Sequence, residues 1–377
     1  MKIFHIIPNL GIGGTEKVLE RLTTNLNMHE HIIINLGYSG NIEKSLLEKN
    51  IKVKIFRFNA LNFPLILLGL LVFFKKEKPD IIQSWLYKAD FISIFFRIFF
   101  NFKNIVWNIR ATKTERYWNL KRKFELWILS KFSLFVPFKI ICCGNKAMDE
   151  HILLGYPKKK MILIDNGIDS QIYLNKKKEI KNFLRENFKL NKEQIIIGCI
   201  GRFSYIKGVD NLIKSFNYIN KKNKQKIVIA FGGRGMNKRN KLIMNLIKET
   251  NHQSQFLLLG ESKNVPKLLE DFDCYCSPSR FEGFPNIIAE AMSMGLPCIV
   301  SNAGDSEMII SNCGICFGES TPENIALGIN KNLNLTKIEK SSLGENARKR
   351  IINNFSLKKM SLEYSDVYKK IINKKKI

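Results

Sequence analysis

No apolar run in this chain is long enough to cross a bilayer. Phe63–Phe74 has 12 residues, against about 20 needed for a helical span, and Lys75-Lys76 follow it directly, so no transmembrane helix is expected. The opening Met1-Lys2-Ile3-Phe4-His5-Ile6-Ile7-Pro8 is too short and too quickly interrupted for a signal peptide, and reads as a first buried strand in a cytoplasmic protein. Internal repeats and low-complexity linkers are also absent. Cysteine numbers eight, yet Cys142, Cys143, Cys199, Cys274, Cys276 and Cys298 lie in apolar, strand-like runs where Cys behaves as a small hydrophobe. Reduced thiols are expected. Cys313-Gly314-Ile315-Cys316 lacks a second pair or a nearby histidine, which argues against zinc.

Acidic residues are few: 33 Asp+Glu face 61 Lys+Arg, a formal charge of +28. The excess divides almost evenly, +13 in residues 1–167 and +15 in the rest, as a uniform lysine bias would give. One segment stands apart. Arg110 to Lys139 holds eight basic and two acidic residues interleaved with Tyr117, Trp118, Phe124, Trp127, Phe132, Phe135 and Phe138, a pattern suited to an anionic membrane surface. Stacking on single-stranded nucleic acid would use the same residues, but no RNA- or DNA-binding signature accompanies them. A core helix with a solvated basic face is the plainer reading.

With 377 residues and 45% hydrophobic content, the chain suffices for two cored domains. Strand-like runs alternate with helical stretches: Ile3–Ile7, Ile32–Leu36, Val53–Phe56, Ile81–Trp85, Ile105–Ile109, Ile140–Cys143 and Ile162–Ile164. The rhythm breaks over Asn175–Glu193. It restarts at Ile195–Ile200, Lys226–Phe231, Phe256–Leu259, Cys274–Ser277, Cys298–Ser301 and Gly314–Phe317. The expected fold class is α/β, with two Rossmann-like domains whose parallel sheets face a central cleft. The expected domains are 1–175 and 176–356, with 357–377 as a final amphipathic helix.

The segment from Ser279 to Met292 carries Glu282 and Glu290 eight positions apart across a loop-to-helix junction. Gly283 and Pro285 mark a turn, Asn286 is the expected N-cap, and Ile287, Ile288, Ala291 and Met292 form an apolar face ending at Gly295 and Pro297. Helix N–H groups can receive an anionic ligand while a carboxylate takes two hydroxyls of a cis-diol. Earlier, Gly201-Arg202-Phe203-Ser204-Tyr205-Ile206-Lys207-Gly208 follows a strand and opens a helix at Val209-Asp210. Two cations on such a turn suit a diphosphate and would neutralise the charge that builds on it as a leaving group. A surface loop with one Arg and one Lys is the ordinary alternative in so basic a chain.

Together these motifs resemble the retaining glycosyltransferases of the GT-B fold, family 4, whose E-x7-E motif has the same opening and close as Glu282-Gly283-Phe284-Pro285 and Glu290-Ala291-Met292. Asp165-Asn166-Gly167-Ile168-Asp169 and Asp273–Ser279 extend the likeness over nearly the whole chain. The resemblance implies that Glu282 contacts the donor sugar, Glu290 holds the ribose, and Arg202 and Lys207 bind the donor diphosphate. Gly201, Gly283, Phe284, Pro285 and Asn286 would line the same donor site. It implies that Gly13 and Gly14, in the loop Gly11–Glu16, lie beneath the donor phosphates and the acceptor. It also implies a C-terminal helix crossing back to the first domain.

Many family members carry a first-domain histidine near the reacting centre, and none of the five histidines here fills that place. Arg110 is the expected substitute, with Thr15 and Trp85 also on the acceptor side. No metal and no cofactor are expected: Asp271-Phe272-Asp273 has a D-x-D form but lies between a helix end and a buried strand. The expected activity is sugar transfer from a nucleotide diphosphate-sugar, UDP favoured, to a lipid-linked glycan at the cytoplasmic membrane face, in polysaccharide or lipopolysaccharide assembly. Nucleic acid is not an expected partner. A nucleotide-sugar epimerase of the same fold and a non-enzymatic basic membrane or nucleic-acid binder are the alternatives.

Overall fold

The computed structural model describes residues 1–11, 13–58, 62–112, 120–174, 183–262 and 264–373. It divides into two compact units, Met1–Gly167 with Leu357–Ile377, and Ile168–Ser356. The first contains β1 (Lys2–Ile7), β2 (Glu30–Asn35), β3 (Lys52–Ile55), β4 (Ile81–Ser84), β5 (Ile105–Ile109), β6 (Lys139–Cys142) and β7 (Met161–Leu163). These form one parallel sheet in the order β3-β2-β1-β4-β5-β6-β7. The second contains β8 (Ile195–Ile200), β9 (Ile227–Gly232), β10 (Phe256–Gly260), β11 (Cys274–Ser277), β12 (Cys298–Val300) and β13 (Ile315–Cys316). Their order is β10-β9-β8-β11-β12-β13, again all parallel.

Helices cover both faces of the first sheet, which is why its strands read as unbroken apolar runs rather than as an alternation. Residues of β1 still sort by parity. Phe4 and Ile6 join a core with helices Phe63–Glu77 and Tyr87–Phe100, while Ile3 and Ile7 join one with Val18, Leu19 and Leu22.

The last helix, Leu357–Asn373, completes that second core with Met360, Tyr364, Val367, Tyr368 and Ile371, so the C-terminus returns to the first unit as expected. Apolar burial is joined there by polar fastening. Asn108 Nδ2 donates to Tyr364 Oη at 2.9 Å, and the Tyr368 hydroxyl donates to Gln83 Oε1. All eight thiols are free, and all but that of Cys316 are buried.

Each sheet has one place where the strand order reverses, between β1 and β4 in the first unit and between β8 and β11 in the second. Loops leaving the carboxyl ends of those neighbouring strands diverge, and in open α/β sheets that crevice is where ligands sit. In the second unit those loops are residues 201–208 and 278–285, the two segments that carry Arg202, Lys207 and Glu282.

Candidate functional site

From β8 the chain turns through Gly201 and Arg202 into a short 3₁₀ turn, Tyr205–Lys207, and then the helix Val209–Ser215. Gly208 makes this possible: its φ is +63°, and a Cβ there would lie 1.9 Å from the Pro278 carbonyl oxygen. The loop after β8 therefore lies against the loop after β11, backbone to backbone. Gly304 does the same from the loop after β12, with φ +55° and an added Cβ 2.3 Å from the Glu282 carbonyl oxygen.

This close approach brings the charged groups together. Lys207 Nζ donates to Glu282 Oε1 at 2.5 Å, and Ser279 Oγ donates to the same oxygen at 2.7 Å. The two side chains are only 25% and 12% exposed, so their attraction is screened less than that of a surface pair. Arg202 is exposed, with no hydrogen bond or ion pair among the described residues. One cation is thus already partnered by a carboxylate, and the other is open to an incoming anion.

Glu290 lies in the helix Asn286–Ser293 and is 2% exposed. Almost the whole helix is interior: Ile288, Ala289, Ala291, Met292 and Ser293 are buried too, while Ile287 is only half-buried. A carboxylate is expensive to bury without partners, and Glu290 does not lack one; its position is set by the helix. Asn286 is not the N-cap. The cap is Pro285, whose φ of −76° and ψ of 92° are extended, and Asn286 is the first helical residue.

A family model, "Glycosyl transferases group 1", matches residues 180–350, and a second, "Glycosyltransferase Family 4", matches residues 12–172. Between them only the ends and a short stretch are left uncovered. The chain belongs to the group 1 glycosyltransferases of the family 4 type. It is 26% identical to the capsular polysaccharide biosynthesis glycosyltransferase CapM of Staphylococcus aureus, over 80% of each chain. It is also 26% identical to the Escherichia coli UDP-Gal:alpha-D-GlcNAc-diphosphoundecaprenol alpha-1,3-galactosyltransferase, over 80% of this chain and 78% of that one. Anabaena Alr3699/HepE, solved with UDP-glucose, superposes with a TM-score of 0.87 at 16% identity, over 98% of this chain and all of that one. These likenesses place the glycosyltransferase in the GT-B fold.

Arg280 was missed by sequence reasoning, yet it holds the glycosyltransferase's two loops in register. Its guanidinium donates from Nη1 to Asp210 Oδ1 and from Nη2 to Asp210 Oδ2, both at 2.7 Å, and from Nη1 to the Tyr205 carbonyl at 2.7 Å. It also lies 4.1 Å over the Tyr205 ring. Asp210 and Arg280 are 70 residues apart, so no local pattern announces the pair.

Other expected residues find different surroundings. Phe284 is buried edge-on against Phe355 at 5.6 Å, a packing contact. Gly13 caps the helix Gly14–Asn25 in extended conformation; Gly14 is exposed and Thr15 half-buried in its first turn. Ile12 of that loop, with Tyr117 and Trp118, lies outside the described residues. Trp85 must be corrected. It is fully buried, its indole N–H donating to His5 Nδ1 at 3.2 Å, and it presents no surface to an acceptor. Arg110 is held internally as well: Nη2 donates to Tyr364 Oη at 2.5 Å, Nη1 to Asn166 Oδ1, and the guanidinium lies 4.9 Å over Trp85. Its described contacts fasten β5 to the last helix.

His5 and His31 are structural. His31 Nε2 donates to the Leu26 carbonyl, His5 Nε2 donates to His31 Nδ1, and Trp85 donates to His5 Nδ1, a relay that fixes both rings as neutral tautomers. Burial accordingly pushes His5 well below the usual histidine range and His31 down to about 4. The D-x-D carboxylates also have protein partners. Asp271 Oδ2 accepts from Leu184 N at 3.1 Å, and Asp273 Oδ2 from Arg185 Nη2 and Ile196 N, both at 2.8 Å.

Proposed function

We propose that the chain transfers a sugar, with retention and without a metal ion, from a nucleotide diphosphate-sugar to a hydroxyl of a lipid-linked glycan. The observation that carries this is the Lys207–Glu282 pair at the strand-order reversal of the second unit, with Arg202 and the buried Glu290 on the adjoining elements. In this reading Arg202 and Lys207 take the donor diphosphate, Glu282 orients the sugar, and Glu290 accepts the ribose hydroxyls. Backbone at Gly201, Gly283, Pro285 and Asn286 shapes the same pocket.

The anomeric C–O bond to the diphosphate breaks as the acceptor oxygen bonds to the same face of the sugar. The acceptor proton passes to the departing phosphate oxygen, so no protein nucleophile is required. Positive charge from Arg202 and Lys207 counts most when the leaving group's negative charge is greatest, which is the condition for lowering the barrier.

A UDP donor and a diphosphate-lipid acceptor are favoured because the E. coli relative is named for both, and capsular polysaccharide assembly because CapM is named for it. Attachment to an anionic cytoplasmic membrane face draws support from exposed apolar side chains on three helices of the first unit. Leu65, Leu68 and Val72 lie on Phe63–Glu77, Ile98 and Phe99 on Tyr87–Phe100, and Phe124 and Trp127 on Leu120–Ser133. Among the described residues no helix is long and apolar enough to cross a membrane.

The test is to incubate the protein with UDP-sugars and a prenyl diphosphate-linked glycan in anionic vesicles, with and without EDTA, and to read the product's anomeric configuration by NMR. Retained configuration that withstands EDTA supports the reading. Inversion, loss with EDTA, or isomerisation of the donor without acceptor contradicts it.

A further inference from the structure

Lys88 plays no part in the site described above. It occupies the second position of the helix Tyr87–Phe100, immediately beyond β4, at the first unit's strand-order reversal beside β1. The backbone is fixed there by an unusual residue: Leu86 has φ 69° and ψ 158°, a conformation that non-glycine residues adopt only when the surroundings impose it. Its N–H donates to the Asn108 carbonyl, and its own carbonyl accepts from Ala89 N and Asp90 N. The lysine is therefore placed by a rigid corner.

Its ammonium is half-buried, 4.4 Å over the Phe58 ring, and has no hydrogen-bond or ion-pair partner among the described residues. Burial holds it below the usual lysine range. Lys160, likewise depressed, differs in donating to the carbonyls of Ser133 and Pro137. A partly desolvated ammonium with no counter-ion among the described residues, at the carboxyl end of the sheet, is suited to an incoming anion.

What lies beside Lys88 is apolar. Phe58 meets Phe63 edge-on at 5.3 Å, Phe63 meets Phe95 at 5.5 Å, and Phe95 stacks on Phe99 at 6.3 Å. Phe99 is 59% exposed, so this row of rings leads from the ammonium to the open face of the helix pair. A ligand matching both ends is a phosphate or diphosphate carrying a hydrocarbon chain.

We propose that Lys88 and the row Phe58–Phe63–Phe95–Phe99 seat the prenyl diphosphate portion of the acceptor, the diphosphate on the ammonium and the hydrocarbon along the rings. This rests on the lipid-linked acceptor reading above and adds the residues that recognise the lipid. Lys88 is a binding residue here, distinct from the donor cations Arg202 and Lys207.

The experiment measures equilibrium binding of farnesyl diphosphate, farnesol, inorganic diphosphate and UDP to the full chain and to Lys88→Ala, Lys88→Arg and Phe63→Ala. Melting temperatures confirm that each variant is folded. The expected result is that wild type prefers farnesyl diphosphate to farnesol and that Lys88→Ala weakens it by about tenfold or more, as loss of a charged hydrogen bond entails. Lys88→Arg should restore most of the affinity, Phe63→Ala should weaken farnesyl diphosphate but not inorganic diphosphate, and UDP binding should be unchanged throughout. Wild type that fails to prefer farnesyl diphosphate, or Lys88→Ala that binds it normally, overturns the inference. So does a parallel loss of UDP affinity in Lys88→Ala, which would assign the lysine to the donor. Because the readout is binding rather than turnover, failure of sugar transfer in the same samples would count against the proposed function separately.

Discussion

Lys207 Nζ lies 2.5 Å from Glu282 Oε1, so in the protein without donor the lysine and the glutamate of the two motifs neutralise each other. A diphosphate must compete with Glu282 for that ammonium. Glu282→Gln removes the competitor while keeping the shape. UDP affinity should then hold or rise, whereas sugar transfer falls by roughly 10²-fold because the carboxylate no longer orients the sugar. Calorimetry with UDP beside a transfer assay checks both halves; loss of both together would contradict the separation of roles.

Arg280 and Asp210 act as a clamp between the two loops rather than as ligand contacts. Arg280→Lys keeps the charge but not the bidentate geometry, so transfer should fall clearly while the protein remains folded. Arg280→Ala and Asp210→Ala should each destabilise by about 1–3 kcal/mol, and the double variant by much less than the sum, since either change alone breaks the pair. Urea denaturation of the three variants reads this out, and simple additivity would contradict the clamp.

Gly208 offers a sharper comparison. Gly208→Ala meets both a left-handed φ of +63° and the Pro278 carbonyl at 1.9 Å, whereas Gly260→Ala meets a φ of +70° with open space around it. Gly260→Ala should lose about 1–2 kcal/mol from backbone strain alone, and Gly208→Ala distinctly more, together with sugar transfer. Equal urea midpoints would contradict the close approach of the loops after β8 and β11.

The buried histidines make stability fall on acidification. His31 and His151 are pushed down to about 4 and His5 well below its usual value, while in the unfolded chain each titrates near 6.5. Below that value the unfolded state binds protons that the folded state refuses. Their contribution is complete above about pH 6.5 and is lost progressively as pH falls towards 4, by up to about 1.4 kcal/mol per pH unit for each ring. His31→Gln and His151→Gln should flatten this dependence in urea titrations run across the window; an unchanged slope would contradict neutral, buried rings.

Much of the architecture was legible because its signals are local. Runs such as Ile195–Ile200 and Ile105–Ile109 are buried on both faces, and all thirteen strands lie within two residues of their expected positions. Even the two-residue strand Ile315–Cys316 falls inside the apolar stretch 314–317. What escaped depends on contacts between distant segments. Trp85 looked like a strand-end residue facing a ligand, but the last helix and the His5–His31 relay enclose it. Arg110 looked like a spare cation until Asn166 and Tyr364 supplied its partners. The same limit hid Arg280, whose partner Asp210 is recognisable only once β8 and β11 stand side by side.

The measurement that bears most directly on the central claim is thermal stabilisation by UDP-, GDP- and ADP-sugars, for wild type, Lys207→Ala and Glu290→Ala. A ligand at 100 times its Kd stabilises the folded state by about 2.7 kcal/mol. The account predicts a shift with one nucleotide, UDP by preference, that is lost or sharply reduced in both variants while their own melting temperatures remain cooperative. No shift with any nucleotide-sugar, or an undiminished shift in both variants, would contradict a donor site built on the loops after β8 and β11.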